Sequence, residues 1–182
     1  MTEPARTVRE GQLPCRNGST PYPCRMRRLA VVHLAATWFM VGLIWTIHTV
    51  HYPLFAEVGP ATYQAFQAAH VDRIGKLLLL PWLTEGLTLV GLLWVAFPGN
   101  RRELRVPVAI GAAAMGVVLL ISGMWSAPAH GDLADGFDAA VHDRLMTANL
   151  VRTLAWTVRG VTAAWIIGLV WRRDAHCTEE HT

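Results

Sequence analysis

Residues 148–171 read ANLVRTLAWTVRGVTAAWIIGLVW. At about 1.5 Å per residue this stretch is long enough to cross a hydrocarbon core of about 30 Å as one α-helix. It also carries Arg152 and Arg159, where a lipid-facing helix would carry no charge. Asn149, Arg152, Trp156, Arg159 and Ala163 recur at steps of three and four, so they share one helical face. That face must turn toward protein, because charge exposed to lipid is costly.

Three further apolar stretches, 29–49, 76–97 and 106–126, have the same length class. Only Glu85 adds a charge to their interiors. The predicted fold is all-α, an integral membrane four-helix bundle, with two short amphipathic helices in the outer loops. The chain of 182 residues is 53% hydrophobic, which fits one transmembrane domain over 29–171 and leaves no room for a separate soluble domain. Residues 1–28 read as a disordered basic cytoplasmic tail, and 172–182 as a second cytoplasmic tail.

Charge orients the chain. Eleven of the sixteen basic residues lie before the first span, in the link 98–105, or just after the last span. By the positive-inside rule both termini face the cytoplasm of a cell inner (plasma) membrane. The net charge of +3 is therefore a topology signal, and nucleic acid is excluded as a partner. The first 28 residues lack an apolar core, so the first span is expected to act as an uncleaved signal anchor. Cys15, Cys24 and Cys177 all fall on the reducing side, where a structural disulfide is not expected. Cys177 beside His176 is either a metal ligand or part of a disordered tail.

The outer loops, 50–75 and 127–147, read as amphipathic. Tyr63, Phe66 and Gln67 make a face in the first, and Phe137, Val141 and Arg144 in the second. Pro53 and Pro128 sit just past spans one and three, Pro107 suits the first turn of span three, and Pro81 suits a kink in span two. Residues 68–74, AAHVDRI, resemble residues 139–145, AAVHDRL. The pattern fits two parallel helical hairpins related by an axis along the membrane normal.

Glu85 and Arg159 lie at nearly equal depths, about 13 Å inside the membrane by helical rise. An ion pair would relieve both charges. Arg152 is the alternative partner, since the order of helices decides which arginine reaches Glu85. Such a pair either fixes helix register or serves chemistry. Arginine keeps its charge at accessible pH and suits an anionic or carbonyl oxygen, whereas Glu85 suits proton transfer. On the arginine face, Asn149 and Trp156 become candidate substrate contacts.

Histidines form the second set of candidates. His48 and His51 share a face if span one stays helical, and His70, His130 and His142 lie on the same outer side. His48, His51 and His70 are candidate transition-metal ligands, and His48 and His51 candidate haem ligands. No HExxH motif or cysteine ligand accompanies them in these loops. The opposing reading has His70 and His142 capping or pairing at helix starts, with His48 and His51 at the headgroup level. Most tryptophans suit interfacial belts.

The run 125–133, WSAPAHGDL, followed by 149–153, NLVRT, resembles the end of the anthrone-oxygenase-like membrane family. The run 51–55, HYPLF, is similar to a motif of small four-span bacterial proteins. The likeness covers about the last third of the chain and the end of span one. It implies an oxidoreductase or oxygenase-like activity without an evident metal or flavin. It further implies roles for Pro128, His130, Asn149, Arg152 and Thr153.

The expected function is oxidation of a hydrophobic, oxygen-bearing small molecule in an outward-facing polar cavity. Arg152, Arg159, Glu85 and His130 are the catalytic candidates. The alternatives are a haem- or metal-binding membrane protein and a non-catalytic assembly subunit. A carrier would require a homodimer, and Gly111, Gly116 and Gly123 with Ala112–Ala114 offer small-residue surface for helix contact. The lipid bilayer is the remaining partner.

Overall fold

The computed structural model describes residues 22–179. Helix α1, Cys24–Thr46, runs on through a π-helical turn at Ile47–His51 and, after Tyr52, a 3-10 turn at Pro53–Glu57. Helix α2 is Pro60–Ala96. Helix α3, Arg102–Ile121, passes through a second π-helical turn at Ser122–Ser126 into the short α4, Ala127–Asp132, and a 3-10 turn at Leu133–Asp135. Helix α5 is Ala139–Glu179. Four helices are long and apolar enough to cross a membrane, so the chain is an all-α, multi-pass membrane bundle.

Local chemistry accounts for the boundaries. A proline opens α2, where its missing N–H costs nothing. Asp138 starts α5 by accepting the Val141 backbone N–H at 2.9 Å. Between α2 and α3 the chain turns through Asn100, whose φ of 55° is a conformation asparagine tolerates. Arg105 ties that turn down by donating to the Ala96 carbonyl and the Asn100 side chain.

Several details depart from the sequence expectations. The outer amphipathic segments are not detached from the spans; they are the first turns of α2 and α5, without a break. Of the first predicted face Tyr63 and Gln67 are buried; of the second Arg144 is exposed, and Val141, His142 and Leu145 carry the buried face. Helix α1 begins at Cys24, inside the segment read as tail, because Tyr22 and Met26 pack into one buried cluster with Leu92 and Leu104. Pro107 lies beyond the first turn of α3, and α2 is continuous through Pro81. Cys15 lies outside the described residues, as do the side chains beyond Arg172.

The helices close a ring: α1 lies against α2, α2 against α3, α3 against α5, and α5 against α1. Hairpin α1–α2 and hairpin α3–α5 therefore occupy equivalent places, with α2 and α5 diagonal. Each hairpin has the same order of parts: a span, a π-turn, a proline two residues past it (Pro53, Pro128), a 3-10 turn and a long return helix. This is the parallel repeat that the two heptapeptides foreshadow.

The surface is apolar where water would be excluded. Leu80, Leu87 and Trp94 are each more than 70% exposed on one side of α2. Inside, Met26, Leu92, Leu104 and Ile166 fill the layer nearest the termini, here called inner, and Met40, Leu89, Met115 and Trp156 the middle. Phe55, Tyr63, Leu133 and Leu145 fill the layer at the opposite end, here called outer. Gly111 admits α5 closely, since a Cβ there would stand 3.1 Å from Thr162 Oγ1. Gly116 and Gly123 face open space.

Candidate functional site

The membrane centre holds one ion pair. Arg159 on α5 and Glu85 on α2 are 1% and 0% exposed by side chain, and they meet across the bundle diagonal. Arg159 donates through Nε to Glu85 Oε1 at 2.8 Å and through Nη1 to the Gly111 carbonyl at 2.6 Å. Its guanidinium stacks 5.3 Å from the Trp156 ring. Thr37 donates to the same Glu85 oxygen at 3.0 Å. Toward the inner side, the Thr88 hydroxyl bonds His33 at 2.9 Å. Glu85 thus pairs with Arg159, and Arg152 is left for another task.

Toward the outer side, above the apolar parts of the spans, a second polar layer gathers. Tyr52 and His51 come from the end of the α1 unit, Gln67 and His70 from α2, His130 from α4, and Arg152 from α5. Gln67 Nε2 donates to His130 Nδ1 at 3.1 Å, so the imidazole proton sits on Nε2, 2.9 Å from the Tyr52 oxygen. The Tyr52 hydroxyl proton is thereby free to point elsewhere, and Arg152 is the charged group beside it. His51 and His70 share a proton at 2.8 Å between Nε2 and Nδ1. His142 bonds the Tyr52 carbonyl at 2.8 Å and locks this corner.

From the outer layer down to the ion pair, α5 carries buried polar atoms with no protein partner: both amide atoms of Asn149, Nε of Arg152 and Nε1 of Trp156. Glu85 Oε2, Ser126 Oγ and His70 Nε2 are in the same state. The set mixes donors, such as Arg152 Nε and Trp156 Nε1, with acceptors, such as Glu85 Oε2 and Asn149 Oδ1. A native interior rarely leaves such a set unpaired without a water or ligand.

His48 and His51 are not brought together. The extra residue of the π-turn spreads positions that an α-helix would align. His48 packs 6.4 Å from the Trp45 ring, whereas His51 turns to His70. Among the described residues no group of three His, Cys, Asp or Glu side chains is arranged to hold a metal ion. Asn149 and Trp156 share the buried face with the arginines, and His130 sits at the hub of the outer layer.

Tyr52, Gln67 and Thr37 escaped the sequence reading as site residues. Gln67 had a signal, as a polar side chain on the buried face of an amphipathic segment. Tyr52 and Thr37 had none beyond their neighbours. No protein-family model, curated protein or solved structure matches the chain.

Proposed function

We propose that this protein is a membrane-embedded oxidoreductase acting on a hydrophobic, oxygen-bearing small molecule held in the outer half of the bundle. The observation that carries the reading is the run of unsatisfied buried donors on α5, at Asn149, Arg152 and Trp156. Arg152 would hold a phenolate or carbonyl oxygen, because its planar donors keep their charge in an apolar site. The Tyr52 phenol, held by the His130 Nε2–H, would donate its hydroxyl hydrogen toward that oxygen. The electrons would pass to a second substrate, dioxygen in an oxygenase-type reaction. Glu85 and Arg159 serve this reading by fixing the floor of the site.

The same proposal has both termini in the cytoplasm at a plasma membrane, supported by the basic clusters at Arg25–Arg28, Arg101–Arg105 and Arg172. Impermeant thiol labelling of intact cells then leaves Cys24 unreacted and labels a cysteine introduced at Asp132; the reverse pattern refutes the orientation.

The functional test is oxidation of a quinol or anthrone by the purified wild type and Arg152→Ala. The expected result is loss of most turnover, with partial recovery in Arg152→Lys. Full turnover by Arg152→Ala would overturn the proposal.

A further inference from the structure

The two hairpins carry equivalent lateral grooves at the outer end of the bundle. The first is lined by His51, Phe66, His70, Arg73 and Leu77, with a volume of about 240 Å³. The second lies at Trp125, Arg144, Thr147 and Val151 and is larger, about 430 Å³. Each groove thus lies where the end of one span meets the long return helix of the same hairpin, and the two differ in chemistry.

In the first groove the chemistry is specific. Phe66, Ala69, Ile74 and Leu77 make an apolar slot open to the side. The slot meets a hydrogen-bonded imidazole pair, His51 and His70. His70 is 7% exposed, and its Nε2 has no partner. An imidazole pair of this kind can bond a hydroxyl or carbonyl oxygen through its unpartnered nitrogen. An apolar cavity of about 150 Å³ accepts one benzene ring, so this groove suits a single substituted ring. Leu77 and Ile74 face the depth at which an alkyl tail would lie. The second groove is lined by the Trp125 indole and the charged Arg144 and holds no imidazole.

From this juxtaposition we infer that the His51–His70 groove binds the ring of a tailed monocyclic quinol or quinone arriving sideways from the outer leaflet. The inference rests on the proposed function and names its substrate class. Imidazole of the pair bonds the ring oxygen, the apolar slot holds the ring, and the tail remains in lipid. The second groove supplies no such pair and does not take this ligand.

The test is photolabelling of the full-length protein in phosphatidylcholine nanodiscs with a decyl azidobenzoquinone, followed by peptide mapping. Label is expected on residues 66–77, and unlabelled decylbenzoquinone should remove it. Loss of one hydrogen bond of about 1.4 kcal/mol would lower labelling about tenfold in His70→Phe, with recovery in His70→Gln. Leu77 is 48% exposed, so Leu77→Trp blocks the groove without disturbing the core and should abolish the label. Val151→Trp, in the second groove, should leave it unchanged.

Label that survives Leu77→Trp, or that falls equally on both grooves, would overturn the inference. So would displacement by phosphatidylglycerol but not by quinone, which would assign the groove to a lipid headgroup. Arg152→Ala separates the two proposals. Unlabelled protein with Arg152-dependent turnover refutes the groove alone, and labelled protein with Arg152-independent turnover refutes the proposed function alone.

Discussion

Removing either member of the buried ion pair should destabilise the bundle unequally. Glu85→Leu leaves the Arg159 guanidinium at the membrane centre with only the Gly111 carbonyl and the Trp156 face as partners. Arginine cannot shed its charge there. Breaking a buried pair this way costs about 3–5 kcal/mol. Arg159→Met leaves a carboxyl that can neutralise itself by taking a proton and keep the Thr37 hydrogen bond. Its cost falls to about 1–3 kcal/mol, the penalty of the contacts left unmade. The double variant Glu85→Leu/Arg159→Met removes both charges and should lie within about 1 kcal/mol of wild type. Reversible unfolding in mixed detergent, followed by circular dichroism, measures all four proteins. Equal costs for the single variants, simply adding in the double, would refute the reasoning.

Gly111→Val should cost about 1–3 kcal/mol, because its Cβ meets Thr162 Oγ1 at 3.1 Å. Gly116→Ala, with nothing near its Cβ, should be close to neutral in the same unfolding assay.

Much of this architecture is legible in the residues. Apolar length gives four spans, and the i, i+3, i+4 spacing of Asn149, Arg152, Trp156 and Arg159 gives the buried face of α5, because both are local properties of a helix. The two heptapeptides point to the repeat, but the repeat becomes plain only from the paired π-turns, which no periodicity announces. That same π-turn separates His48 from His51, so a spacing argument that assumes an unbroken α-helix fails there. Which arginine reaches Glu85 depends on the axial offset between α2 and α5, a consequence of long-range packing. The Tyr52–His130–Gln67 chain joins three elements far apart in sequence, and only their packing shows it.

The most direct measurement of the central claim is native mass spectrometry of the full-length protein released from its own membrane, wild type beside Arg152→Ala. The account predicts a small oxygen-bearing lipophile bound one to one in the wild type and absent from the variant, with both proteins equally folded. Identical bound species in the two proteins would show that Arg152 holds nothing, and would contradict the account.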